Sequence, residues 1–170
     1  NFEDRRTCVL FGDGAGAVLL EPAQNDEEGI IDSLLHSDGS GGKFLYMPSG
    51  GSLHPTSHKT VDEKMHYVHQ DGRNVFKFAV KLMTQVSNDI LEKNGYTPED
   101  ISLFIPHQAN LRIIQSAVKR LNLRPEQVAI NIDRYANTTA ATIPMALHEA
   151  YKQNRIKKGD LLLLASFGAG

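Results

Sequence analysis

The last seventy residues alternate between short apolar runs and longer amphipathic segments, and this alternation limits the fold more than any other feature. The apolar runs are residues 101–105, 128–132 and 161–165, and segments of helical periodicity lie between them at 110–123 and 138–154. Strands separated by helices of about 15 residues form βαβ units. The sequence therefore predicts an α/β fold with a mixed, largely parallel sheet and helices on both faces.

The first hundred residues are less regular. Residues 8–11, 18–20 and 30–35 are short apolar runs that predict strands, and residues 37–66 predict a long irregular loop, either functional or mobile. A helix is predicted from Gly72 to Asn94-Gly95, where glycine is typical of a helix end. Its apolar stripe consists of Val75, Phe78, Ala79, Leu82, Val86, Ile90 and Leu91.

The composition excludes several classes of protein. With 170 residues, 41% of them hydrophobic and 22% charged, the chain has the size of one globular domain. A net charge of −2 favours neither nucleic acid nor a membrane surface as a partner. Cys8 is the only cysteine, which excludes an internal disulfide and predicts a reducing, cytoplasmic compartment. Because the chain begins without Met and stops directly after an apolar run, we expect it to be part of a longer polypeptide.

Two polar breaks at strand ends predict a site. His107 follows the strand that ends in Pro106, and Asn137 lies in a second break before the next helix. Folds of this class place their chemistry where strand ends open onto helix N-termini. A neutral His107 with its proton on Nε2 can donate to a developing oxyanion, and so can the Asn137 amide. The alternatives are a histidine that satisfies hydrogen bonds at a strand end and an asparagine that caps a helix.

Three other features predict structure rather than chemistry. Gly12–Ala17 lacks the glycine spacing of a dinucleotide site and the Lys of a P-loop, so we expect a strand packed closely through small residues. His54 and His58 lie in loop sequence without cysteines, and no metal site is predicted. Cys8 lies inside an apolar run and is expected to be a buried structural residue.

A basic face is the third candidate site. Residues 101–125 contain no acidic side chain, whereas Arg112 and Lys119 are seven residues apart and lie on one side of a helix. Lys77 and Lys81 add a basic pair on the preceding helix. The face is either simply solvated or a docking patch for an acidic or phosphorylated partner.

Four motifs in this order resemble the β-ketoacyl-acyl-carrier-protein synthase III family, the thiolase-fold condensing enzymes that start type II fatty acid synthesis. They are Gly12–Gly16, Pro106–Arg112, Ala136–Thr138 and Ser166–Gly170, and the resemblance covers essentially the whole chain. It implies that residues 1–22 are the last strands of the N-terminal thiolase-like half. Residues 23–170 would then be the C-terminal half, truncated at its end.

The resemblance assigns roles to individual residues. The family uses a Cys–His–Asn triad, in which His107 and Asn137 match the second and third members and stabilise the enolate formed when a malonyl thioester loses CO₂. Cys8 does not match the nucleophile, which is expected in the N-terminal half, so this chain alone is expected to be inactive. The motif reads Ala136-Asn-Thr-Thr139 where Gly-Asn-Thr-Ser is common, a departure that bears on substrate range. Further matches are Gly72, Phe76 and Asn110 for the pantetheine tunnel, and Lys77, Arg112, Lys119 and Arg120 for the patch that receives the acyl carrier protein.

The function implied is decarboxylative Claisen condensation of an acyl-CoA primer, acetyl-CoA, with malonyl-acyl carrier protein. Coenzyme A thioesters are substrates, and no cofactor or metal is implied. The expected partners are the acyl carrier protein, acyl-CoA, the N-terminal half of the same protein and a second copy in a homodimer, with no nucleic acid and no membrane. Two alternatives remain: a related condensing enzyme of secondary metabolism with a different primer, and a non-catalytic fragment that binds coenzyme A or carrier protein.

Overall fold

The core is built around two parallel strands in a computed structural model that describes residues 2–5, 7–23 and 28–168. Strand β3 (Leu103–Pro106) pairs with β4 (Leu162–Ala165), with Leu103 opposite Leu162. The other elements are β1 (Leu45–Tyr46), α1 (His58–Asp62), β2 (His69–Gln70), α2 (Gly72–Lys93), α3 (Leu111–Arg120), α4 (Ile132–Tyr135) and α5 (Thr142–Lys152). The last two residues of the motif Ser166–Gly170 lie outside the described residues.

Helices cover both faces of this pair of strands, as the sequence predicts. Successive strand side chains point to opposite faces, so Phe104 packs into one cluster with buried residues of α2 and α3. Leu103 and Ile105 pack on the other face against Ala146 and Ala150 of α5. The prediction that the last strand is covered on both faces is wrong at Leu164, whose side chain is 48% exposed.

The three long predicted helices are confirmed. Their ends or their buried faces differ from the prediction. Helix α2 ends at Lys93 with Asn94 as its C-cap, and Gly95 follows in the left-handed region with φ of 73°. In α3 the buried positions are Ile113, Ile114 and Ala117, whereas Leu111, predicted on the apolar face, is 40% exposed. Helix α5 begins at Thr142 rather than at residue 138 and is preceded by a 3-10 turn, Thr139–Ala141. Pro144 lies in its first turn, where no backbone N–H is needed, so it does not interrupt the helix.

The predicted strand at 128–132 is wrong beyond its first two residues. Val128 forms a single bridge to Phe104, and the Ala129 N–H donates to the Phe104 carbonyl at 2.9 Å. Beyond that point the side chain of Gln108 takes the place of a neighbouring strand. It donates to the Ala129 carbonyl and accepts from the Asn131 N–H. Helix α4 then begins at once.

The strands predicted at 8–11, 18–20 and 30–35 do not form in the described residues. Residues 7–10 are turns, and the only pairing in these segments is a bridge between Phe11 and Asn137. A strand is stable only when its backbone groups bond to a neighbour, and these segments have none for most of their length. Their apolar side chains are consequently exposed, as at Leu19 (84%) and Leu35 (92%).

The described residues contain neither a candidate membrane-spanning helix nor a metal-binding cluster. None of the helices there has the length and hydrophobicity required to cross a membrane. No group of three or more His, Cys, Asp or Glu side chains is arranged to hold a metal ion.

Candidate active site

His107 lies at the end of β3, where the neighbouring strand fixes its backbone. Its N–H donates to the carbonyl of Ala165, the last residue of β4, at 2.8 Å. Its own carbonyl accepts from the N–H of Ala109 at 2.9 Å, which closes a tight turn before α3. The pairing of β3 with β4 therefore fixes the position of the His107 side chain at the end of the sheet.

Gln108 anchors the same turn from the inside of the protein. It is completely buried, and its Nε2 donates to the carbonyls of Pro106 at 2.8 Å and Ala129 at 3.2 Å. Its Oε1 accepts from the N–H of Asn131 at 3.1 Å. Because a buried amide with its partners satisfied is costly to displace, Gln108 holds the turn after β3 rigidly beside residues 129–131.

Asn137 lies in the break between α4 and α5, and the N-terminal segment holds its backbone. Its N–H donates to the Leu10 carbonyl, and its carbonyl accepts from the Gly12 N–H, both at 3.0 Å. Its side-chain Oδ1 accepts from the Thr139 N–H at 2.9 Å. Asn137 is thus not the N-cap of α5, the alternative considered above, because that position is Ala141. The bond to Thr139 also fixes the orientation of the Asn137 side-chain amide. Its Oδ1 must face the Thr139 N–H, and its Nδ2 therefore points the other way with its N–H groups free to donate.

A short series of hydrogen bonds links the two side chains. Nδ1 of His107 lies 2.6 Å from Oγ1 of Thr142, the first residue of α5. The same hydroxyl lies 3.0 Å from the Thr139 carbonyl, and Thr139 is bonded to Asn137 as described above. This leaves His107 Nε2 and Asn137 Nδ2 without a hydrogen-bond partner among the described residues. The sequence did not predict a role for Thr142 or Thr139, and only the cluster of threonines after Asn137 signals one.

Burial disfavours the charged form of the His107 imidazole. Partial burial lowers the pKa of His107 because the charged form loses its hydration. No charged group in the described part of the chain contributes to this shift. The surroundings of His107 thus favour the neutral ring, and its Nε2 has no hydrogen-bond partner among the described residues.

The glycine-rich segment packs closely against the start of α5, as predicted, but the strand predicted at Gly12–Ala17 does not form. A Cβ atom on Gly12 would lie 2.5 Å from the Tyr135 carbonyl oxygen, and one on Gly16 would lie 2.6 Å from Cγ of Pro144. A Cβ on Gly14 would lie 2.8 Å from both Met145 Sδ and Thr138 Cγ2. The alternating glycines thus allow an extended chain to lie flat against the region that carries Asn137.

The three candidate tunnel residues lie at the starts of two packed helices. Gly72 is the first residue of α2, Phe76 is in its second turn, and the Asn110 side chain caps α3 by accepting from the Arg112 N–H. Phe76 also packs against the core cluster shared by α2 and α3. Their role in the pantetheine tunnel stays a prediction.

A cleft of about 1020 Å³ lies between residues 34–47 and α2. Part of the predicted apolar stripe of α2 lines it, namely Val75, Phe78, Leu82 and Val86. Phe167, two residues after the strand end that binds His107, also lines it. Neither His107, Asn137 nor any of the three tunnel candidates is among the described residues of its wall.

The four residues predicted to receive a carrier protein form what we call the basic patch: Lys77, Arg112, Lys119 and Arg120. All four side chains are exposed, one on α2 and three on α3. The two helices pack against each other through their buried faces. None of the four forms an ion pair within the part of the chain that the structure describes, so their charges remain available.

Two family models match the chain. The model of the 3-oxoacyl-[acyl-carrier-protein (ACP)] synthase III C terminal matches residues 91–170, and that of 3-oxoacyl-[acyl-carrier-protein (ACP)] synthase III matches residues 1–39. His107 and Asn137 lie in the first of these matches. Cys8 and the alternating glycines lie in the second.

Curated relatives carry the same description. The beta-ketoacyl-[acyl-carrier-protein] synthases III of Solibacter usitatus and Koribacter versatilis are 56% and 53% identical to the chain over its whole length. The matches cover 52% and 51% of those proteins. The chain thus spans about half the length of the curated relatives it matches.

Solved structures agree with these matches. The crystal structure of 3-oxoacyl-[acyl-carrier-protein] synthase III from Aquifex aeolicus superimposes with a TM-score of 0.85 at 42% identity, covering 99% of this chain and 49% of that one. The enzyme from Thermus thermophilus gives a TM-score of 0.79 at 43% identity, with 98% and 50% covered. The fold is therefore thiolase-like, the class expected from the sequence.

Proposed function

Since the chain belongs to the 3-oxoacyl-[acyl-carrier-protein] synthase III family, we propose that the complete protein catalyses a decarboxylative Claisen condensation that starts fatty acid synthesis. An acyl-CoA primer, acetyl-CoA in this proposal, acylates a cysteine thiolate and releases coenzyme A. Malonyl-acyl carrier protein then loses CO₂, and the carbon left behind attacks the acyl thioester.

The observation that carries this proposal is the hydrogen-bonded link between His107 and Asn137. It holds both side chains by one end and leaves Nε2 and Nδ2 available. When the malonyl carboxylate leaves as CO₂, the electron pair of the broken bond moves toward the thioester carbonyl and gives an enolate. The Asn137 Nδ2–H and a protonated Nε2 of His107 would lower the energy of that oxyanion, an effect of several kcal/mol in a site from which water is excluded.

The remaining parts of the enzyme are proposed outside this chain. Residues 1–22 would complete the N-terminal half of the same protein, which supplies the nucleophilic cysteine, and residues 23–170 would belong to the C-terminal half. The apolar side chains that residues 18–20 and 30–35 expose support this arrangement, because such a surface favours a covering partner. We further propose a cytoplasmic homodimer and an inactive state for this chain alone.

Substrate contacts are proposed for the starts of α2 and α3. Gly72, Phe76 and Asn110 would line the path of the pantetheine arm, and at Gly72 no heavy atom lies within 4 Å of an added Cβ, so the position is open. The basic patch would receive the acidic carrier protein, because its four cations have no partner among the described residues.

The decisive experiment separates the two half-reactions in the complete protein. We expect His107→Ala to lower the release of labelled CO₂ from malonyl-acyl carrier protein by about 10²–10³-fold, because one oxyanion donor is lost. Formation of the acyl-enzyme from acetyl-CoA, followed by mass spectrometry, should change little.

His148→Ala is the matched control, since His148 is an exposed histidine of α5. It should leave both steps unchanged. If His107→Ala slows acylation as much as decarboxylation, His107 does not have the assigned role.

A further inference from the structure

The hydroxyl of Thr142 makes two contacts with a single proton. Oγ1 lies 2.6 Å from His107 Nδ1 and 3.0 Å from the Thr139 carbonyl oxygen. A hydroxyl group has one proton to donate and lone pairs with which to accept, whereas a carbonyl oxygen only accepts. Both contacts are hydrogen bonds only if Thr142 donates to Thr139 and accepts from an Nδ1–H of His107.

We propose that Thr142 is a positioning residue that holds neutral His107 with its proton on Nδ1 and its lone pair on Nε2. The opposite arrangement, in which Thr142 donates to Nδ1, makes one hydrogen bond instead of two. Thr142 is only 2% exposed, so water does not compete for its hydroxyl group. The neutral tautomer considered from the sequence, with the proton on Nε2, is therefore the less favoured one.

The consequence for catalysis rests on the proposed function. A lone pair on Nε2 cannot donate to an enolate, so His107 becomes a donor only after Nε2 takes up a proton. The anionic malonyl group favours that protonation, because an opposite charge nearby stabilises an imidazolium. Nδ1–H stays bonded to Thr142 throughout, and the proton on Nε2 is held toward the enolate oxygen while CO₂ leaves.

Nitrogen NMR of the complete protein labelled with ¹⁵N-histidine tests the proposal without substrate. Correlations from the carbon-bound ring protons show which nitrogen carries a proton, and His107→Gln identifies the signals of His107. We expect the Nδ1–H tautomer in the wild type and in Thr142→Ser, which keeps the hydroxyl. Thr142→Val, which keeps the shape but removes the acceptor, should shift His107 toward the Nε2–H tautomer.

An Nε2–H signal from neutral His107 in the wild type would overturn the proposal, and so would an unchanged tautomer in Thr142→Val. The wild-type spectrum is decisive even if the valine variant fails to fold. In a second measurement, Thr142→Val should slow CO₂ release by at least about tenfold. Losses of this order follow the removal of a group that orients an imidazole. Thr142→Ser should release CO₂ at a rate close to that of the wild type. If wild-type His107 is the Nδ1–H tautomer but the protein releases no CO₂ from malonyl-acyl carrier protein, the proposed function is refuted. The proposed role of Thr142 in positioning His107 would still hold.

Discussion

At the scale of single residues, Ala136 has the least usual backbone in the site. Its φ of 60° and ψ of −162° fall in a region that essentially only glycine adopts. It ends α4 and directly precedes Asn137, so the turn that presents the Asn137 amide is strained. Glycine is common at this position in the motif that the chain resembles, and it has no Cβ to oppose this conformation.

We expect Ala136→Gly to stabilise the complete protein by about 1 kcal/mol, because the relief of strain exceeds the entropy that glycine adds to the unfolded chain. The midpoint of chemical denaturation measures the change. Ala140→Gly is the matched control: Ala140 is exposed and has no positive φ, so glycine there should cost stability. A loss of stability at both positions would contradict the strain at Ala136.

Single residues also show how far sequence reasoning reaches. His107 and Asn137 are predictable as candidates because each polar side chain follows a break in a regular pattern. Thr142 and Gln108 are not, because their partners lie far away in the sequence, as in the bond between Thr142 and His107. Only the folded backbone brings such groups together.

At the scale of elements, the contact between residues 12–16 and the start of α5 is the tightest in the site. Gly16 faces Pro144, whose ring has little freedom to move away. This contact and the bonds between Gly12, Leu10 and Asn137 fix the distance between the N-terminal segment and α5.

Gly16→Ala should therefore destabilise the complete protein by about 1–3 kcal/mol, the usual cost of inserting a methyl group into a closely packed contact. Gly51→Ala serves as a control, because nothing lies within 4 Å of a Cβ at that position. Denaturation midpoints of both variants should be compared with the wild type. Equal midpoints for the two variants would contradict the prediction, because they would show that residues 12–16 can shift to make room for the added methyl group.

Helices were easier to predict than strands for a physical reason. The backbone bonds of α2 and α3 are internal, so their periodic apolar residues suffice to define them. A strand depends on a neighbour that its own sequence does not specify. Residues 18–20 have the composition of a strand but no neighbour in the described chain, and residues 129–131 bond to the side chain of Gln108 instead.

At the scale of the whole molecule, charge is distributed unevenly despite a net charge of only −2. The basic patch places four exposed cations on the outer faces of α2 and α3. A local concentration of one sign attracts an oppositely charged partner more strongly than the net charge suggests, and the attraction weakens with salt.

We expect Arg112→Glu in the complete protein to lower kcat/KM for malonyl-acyl carrier protein by about tenfold at low ionic strength, through slower association. Activity with free malonyl-CoA should fall much less, and added salt should reduce the difference. Lys152→Glu makes the same change of charge at an exposed position near the end of α5 and should affect neither substrate selectively. A uniform loss with both substrates would indicate that Arg112 has a structural role.

The backbone bonds of the two site residues have a consequence for how the site assembles. His107 is held by Ala165, and Asn137 is held by Leu10, so each pairing closes a long loop of chain. Loop closure costs entropy before any contact compensates for it, and long-range pairings slow folding for that reason. Helices α2 and α3 are separated along the chain only by residues 94–110, so their packing costs less loop-closure entropy. We therefore expect the geometry around His107 and Asn137 to form late in folding, once these long-range backbone bonds are made.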